Sequence, residues 1–220
     1  MGNKMNKSNR SYRINIKNPV YCEVISDTEE KTTYGPVASL GEAQEIQVTS
    51  SMASGTLHGN GAVVDSTSLM TGLAVSMKLT KLNVEVVADI YRYEVTDGVV
   101  QVKAGTVPKE IALGYEVQQT DGKSEYVWLL KGKPKPTNST VQQSETNINY
   151  STDTIEIDFV KRISDDMLRY YADASNPEFT KEQADAWFNE GPSTFPKKAE
   201  APEENQETVN TDGSEQEEQI

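Results

Sequence analysis

The sequence predicts a mainly β domain carrying one or two short helices, with polar segments at both ends. Three observations carry this. Residues 69–79 alternate in polarity with period two, two Asp-Gly pairs each sit between alternating apolar runs, and helical spacing is confined to two short stretches.

Taken in order, residues 1–18 are polar and basic (Lys4, Lys7, Arg10, Arg13) and read as a mobile arm. Residues 19–191 hold the strong patterning and form the β domain. Residues 192–220 are rich in Pro, Glu, Gln, Asn and Thr and read as an acidic disordered tail, because so little apolar surface cannot offset the entropy of ordering. Weaker strand signals lie near 20–25, 43–49 and 143–150. The stretch of about 50–68, rich in Gly, Ser and Asn with scattered Met52, Leu57, Val63 and Val64, reads as a long flexible loop.

The clearest strand follows. Leu69, Leu73, Val75, Met77 and Leu79 share one face with Thr71, and Met70, Gly72, Ala74, Ser76 and Lys78 share the other. Asn83 can then cap a short helix to about Tyr91, with Val84, Val87, Ala88 and Tyr91 on one stripe. Asp97-Gly98 suits a two-residue type I′ turn, which places Val95 opposite Val100 and Tyr93 opposite Val102. A two-residue turn at Asp121-Gly122 would likewise set Val117 against Tyr126, Tyr115 against Trp128 and Leu113 against Leu130, burying all of them on one face. Ile155, Ile157 and Phe159 mark a further strand, with Glu156 and Asp158 on its reverse. Thr180-Lys181-Glu182-Gln183 matches a capping box, Ala184, Trp187 and Phe188 form the stripe behind it, and Gly191 stands where a helix stops.

Composition narrows the chemistry. The formal charge is −13, and eight of the acids fall after Ala199 in a stretch without Lys or Arg. An acidic body argues against tight static binding of nucleic acid, which needs cations to displace counterions. One cysteine, Cys22, cannot form an internal disulfide, and one histidine, His58, cannot build a histidine metal cluster. Gly55, Gly59 and Gly61 lack the spacing and the Lys-Ser/Thr of a phosphate loop. Glu156 and Asp158, on one polar strand face, read as solvated carboxylates rather than a glycosidase pair. No catalytic, metal-ligating or cofactor-binding residue is therefore assigned, and no enzyme is expected. The apolar runs are too short to span a bilayer, and no apolar core follows the basic N-terminus, so neither membrane insertion nor a signal peptide is expected.

The order of features resembles the major tail proteins, the tail-tube subunits, of long-tailed phages of Gram-positive bacteria. The resemblance covers about residues 19–190 and rests on Ala112-Leu113-Gly114-Tyr115-Glu116, Asp121-Gly122-Lys123 and Tyr126-Val127-Trp128-Leu129, in sequence with the 69–79 strand and Ala186-Trp187-Phe188. It implies a β-sandwich or partial barrel of tail-tube type. It further implies a virion protein, assembled in the host cytoplasm as hexameric rings that stack around a tape-measure protein and let double-stranded DNA pass. Six subunits giving four strands each, at about 4.8 Å spacing and about 45° tilt, enclose a barrel roughly 50 Å across. Within that reading the expected assembly contacts are Tyr12, Ile14, Met52, Leu57, His58, Val63, Met70, Gly72 and Ala74, and the expected lumen-facing acids are Glu116, Glu125, Glu156 and Asp158. The rival reading is a β-rich carbohydrate-binding or adhesion module, which would need an exposed aromatic platform or a calcium loop.

Overall fold

A computed structural model describes residues 11–141 and 151–192. The elements run β1 (Arg13–Asp27), β2 (Thr32–Tyr34), β3 (Ala38–Ser39), β4 (Ala43–Gly59), β5 (Ala62–Leu79), α1 (Val84–Tyr91), β6 (Glu94–Thr96), β7 (Val99–Gln101), β8 (Ile111–Gln119), β9 (Ser124–Pro134), β10 (Asn138–Thr140), β11 (Thr152–Val160), β12 (Arg169–Asp173) and α2 (Lys181–Ala186). The fold is mainly β, with 56% of the described residues in strands and 8% in helix. The strand expected near 143–150, most of the arm, and the tail beyond Pro192 lie outside the described residues.

One antiparallel sheet holds ten of the strands in the order β2-β1-β8-β9-β11-β5-β4, with β3 on β1, β10 on β11 and β12 on β9. It curls, because residues from both of its ends share one core. Tyr21 of β1 joins Leu73, Val75, Met77 and Leu79 of β5, Leu113 and Tyr115 of β8, Val127 and Leu129 of β9, and Ile155, Ile157 and Phe159 of β11. β1 and β4 approach each other across this core without a shared ladder. Helix α1 closes one side with Ala88, Ile90 and Tyr91 buried. It is tied down where the Tyr21 hydroxyl donates to Asp89 at 3.0 Å and the Tyr91 hydroxyl donates to the Lys135 carbonyl at 2.6 Å. Its buried stripe differs from the expected one: Val84 is exposed and Ile90 replaces it. Asn83 occupies the N-cap position without a side-chain capping bond.

The opposite face of β1, β8 and β9 carries a second core of Cys22, Ala112, Trp128, Leu130 and Trp187, against which Tyr126, Phe179 and Phe188 pack. The chain around α2 forms its lid. Both bonds of the capping box at Thr180 are present, and the Trp128 indole donates to the Trp187 carbonyl at 3.0 Å. The helix ends at Ala186, short of Gly191, which instead packs close to Tyr34 and Cys22.

Because the sheet is buried on both faces, one expected register is corrected. At β8–β9 the pairs are Leu113 with Leu129, Gly114 with Trp128, Tyr115 with Val127 and Val117 with Glu125. Tyr115 and Trp128 are both buried, but on opposite faces. The cause is the loop. The Gln119 amide donates to the Lys123 carbonyl at 2.8 Å, leaving Thr120, Asp121 and Gly122 as a three-residue loop with Gly122 at φ +80. That is the type I turn with a left-handed third residue, and it moves the register by one. Apolar pairing survives the shift at Leu113–Leu129 and Tyr115–Val127, where both faces are apolar, and is lost at Val117, which meets Glu125. The β6–β7 turn is as expected: Asp97 and Gly98 have φ of 51 and 78, and Val95 pairs with Val100.

Two further expectations are corrected. Residues 13–18 are strand rather than mobile arm, since Arg13, Asn15, Ile16 and Lys17 pair with β8. Residues 50–68 are not a loop but the outer half of a hairpin, closed by Asn60 and Gly61 at φ of 51 and 79.

Candidate assembly surface

Strands β4 and β5, 17 and 18 residues long, pair along their whole length, but the body uses only their first and last parts. From Leu73 onward β5 alternates into the main core, whereas residues 49–58 and 60–71 are all exposed. The outer hairpin is therefore a two-stranded ribbon standing away from the domain. At about 3.4 Å per residue, the ten residues from Ser50 to Gly59 extend roughly 34 Å. It displays Met52, Leu57, Val63, Val64, Leu69 and Met70, each 48–65% exposed.

Cross-strand pairing decides what each face of the ribbon shows. Met52 lies opposite Met70, Ala53 opposite Leu69, and Leu57 opposite Asp65. Between these apolar ends runs a waist of Ser54, Gly55, Thr56, Ser66, Thr67 and Ser68. Asp65 is the only Asp, Glu, Lys or Arg between Ile46 and Met77.

The other expected contacts distribute as follows. Tyr12 and Ile14 are 63% and 59% exposed. Their backbone is fixed nonetheless, with the Thr120 amide donating to the Tyr12 carbonyl at 2.9 Å. His58 is exposed near the ribbon tip, and Ala74 is half-buried. Gly72 is corrected: it is buried, and a Cβ there would stand 2.6 Å from the Phe159 carbonyl oxygen. Its smallness serves β5–β11 packing within the chain.

Of the expected lumen acids, Glu125 is also corrected. It shares the core-facing side of β9 with Val127, is 6% exposed, and pairs with Arg13 at 2.6 Å while the Gln119 amide donates to it at 3.0 Å. The other three lie on faces turned away from the main core. Glu116 accepts from Ser124 and Asn18 at 2.6 and 2.9 Å, and Asp158 pairs with Lys135 at 2.9 Å. Glu156 and Asp158 continue across the ladder into Ser76 and Ala74 of β5, then Gln47 and Thr49 of β4. Small side chains line this three-strand face around Glu156, and its other carboxylates are matched by lysines, Asp158 by Lys135 and Glu45 by Lys78.

Where β1 and β4 approach, a groove of about 550 Å³ opens. Its floor is Tyr115 and Val127 with the half-buried Ile16, Ile46, Val48 and Val117, and its rim carries Arg13, Arg169 and Tyr171. No pairing joins residues 13–18 of β1 or any part of β4 to a strand on the groove side among the described residues.

Cys22 is fully buried, and burial pushes its thiol up to about 12. Among the described residues no group of three or more His, Cys, Asp or Glu is placed to hold a metal ion. No family model matches the chain, and no curated protein matches it.

Sequence reasoning named Val64 in the 50–68 segment but not among the contacts, assigned Leu69 to the apolar strand face although it is exposed, and missed the groove itself. Asn60-Gly61 was the signal available for the ribbon, since that pair is the strongest short-range hairpin dipeptide.

Proposed function

We propose that this chain is the repeating subunit of a phage tail tube, polymerising as stacked hexameric rings that enclose a tape-measure protein and conduct DNA without reacting with it. The observation that carries the reading is the exposed ribbon of β4 and β5. A two-stranded hairpin alone is marginal in water, and six large apolar side chains on it gain nothing from solvent. Such an element is stabilised by a partner. A protruding arm and a body that differ in shape meet head to tail, a contact that propagates into rings or filaments instead of closing as a dimer.

Two features support the tube in particular. The free edges of β1 and β4 invite sheet continuation, and ring closure removes such edges. The face of β11, β5 and β4 around Glu156 suits a lumen lining, since its small side chains leave the bore clear and its acids are balanced by Lys78 and Lys135, so that it holds no excess of cations to grip phosphates. Both tryptophans are buried, so neither offers the flat platform a sugar-binding module would use. Sedimentation velocity over a hundredfold range of concentration tests the reading. Large species growing with concentration are expected; a single monomer boundary throughout would overturn it.

A further inference from the structure

We propose that the ribbon tip of one copy docks in the β1–β4 groove of the next, with Leu57 entering the apolar floor and Asp65 meeting Arg169 at the rim. This deepens the tube-subunit reading and rests on it. Three observations fit the two surfaces together.

The first is the pairing within the tip. Leu57 and Asp65 are directly opposed across the β4–β5 ladder, so they share a face with their Cβ atoms about 5 Å apart. The tip thus offers one apolar knob with one carboxylate beside it. The second is the groove, which offers the inverse: an apolar floor continuous with the main core, beside guanidinium groups. Arg13 is engaged by Glu125, whereas no ion pair to Arg169 occurs among the described residues, so Arg169 is the cation left to meet an incoming acid. The third is reach. Ile46 lines the groove and lies eleven residues before Leu57 on the same strand, about 37 Å away along it. The tip cannot fill its own groove, and its match of knob and carboxylate to that groove makes a second copy the occupant. Donor and acceptor are different surfaces of one chain, which makes the contact head to tail.

The test uses cysteine pairs. Leu57→Cys and Ile14→Cys both replace exposed residues, the second on the groove wall, and the native thiol is fully buried. A disulfide requires Cα atoms within about 7 Å, so tip and groove thiols can join only between copies. The double variant, oxidised after assembly, should give a ladder of covalent oligomers, and a mixture of the two single variants should stop at the dimer. No ladder from a preparation that visibly polymerises would overturn the docking site while leaving the tube-subunit reading in place. No ladder and no polymer at any concentration would overturn both. A charge swap provides the second arm: Asp65→Lys and Arg169→Glu should each raise the concentration needed for assembly about tenfold, and together restore it. Failure of the double swap to restore assembly would remove the Asp65–Arg169 pairing.

Discussion

Gly114→Ala probes the β8–β9 register more sharply than any large truncation. Gly114 stands opposite Trp128, and an added Cβ would lie 2.9 Å from Trp128, Phe188 and Val20 at once. These neighbours belong to β9, the α2 segment and β1, so a shift away from one drives against another. Overpacking a filled core costs about 1–3 kcal/mol. Replacing Gly by Ala also narrows the unfolded ensemble, a gain of about 0.4–1 kcal/mol, and the backbone here is outside the left-handed region, so no strain adds. The net expectation is a loss of about 0.5–2 kcal/mol, or a fall in Tm of a few degrees for a domain of this size. Gly55→Ala is the control: it lies in the ribbon with nothing within 4 Å and no left-handed backbone, so only the gain of about 0.4–1 kcal/mol should appear. Urea unfolding followed by far-UV circular dichroism measures both. Shrinking the ring with Trp128→Phe in the Gly114→Ala background should recover part of the loss, as expected for residues in contact. A neutral or stabilising Gly114→Ala, or strict additivity with Trp128→Phe, would refute the register and restore the arrangement with Tyr115 and Trp128 on one face.

Replacing residues 51–71 by a short turn should leave the unfolding midpoint nearly unchanged, because almost nothing there is buried, yet abolish self-association in sedimentation; a collapse of the fold would contradict this. Arg162→Ala should cost about 3–5 kcal/mol in chemical denaturation, since its buried guanidinium binds Asp165, Tyr34 and Tyr170 and pins the 160–170 segment to the sheet; a loss below 1 kcal/mol would show that the segment is held otherwise. Asp27 links stability to pH. Burial alone would raise its carboxyl, but hydrogen bonds from Lys131, Thr32 and the Ile163 amide outweigh that and hold it below the usual range. Its contribution is full above the unfolded value of about 3.9 and is lost as pH falls through the lower folded value. Urea midpoints should therefore drop below about pH 4, and less so in Asp27→Asn; identical slopes in the two proteins would remove Asp27 as a cause.

Local chemistry was the most legible part of the sequence. The capping box at Thr180 names its own partners within four residues, and Asp97-Gly98 leaves one favourable turn. The apolar face from Leu73 to Leu79 also read correctly, since alternation there reports burial. Legibility failed where one pattern served two structures. Residues 111–115 and 126–130 hold apolar side chains at both parities, because β8 and β9 are covered on both sides, so pairing alone could not separate a two-residue from a three-residue loop. The ribbon failed for the opposite reason. Ser, Thr and Gly on two solvent-facing sides give no alternation, and its strands answer only to each other within the chain. Of the residues singled out in the sequence, Tyr12, Ile14, Met52, Leu57, Val63 and Met70 are exposed, whereas Gly72 and Glu125 are buried through contacts with the distant Phe159 and Arg13 that no local pattern reports. The groove joins β1 to β4 across the fold and has no local signature.

Electron microscopy of the purified chain under conditions that drive association separates a tube subunit from a monomer. Hollow tubes of stacked rings are expected, with an inner barrel whose backbone is roughly 50 Å across for six subunits of four strands at about 4.8 Å spacing and about 45° tilt. Dispersed monomers at every concentration and salt, or solid fibres without a lumen, would contradict the tube-subunit reading.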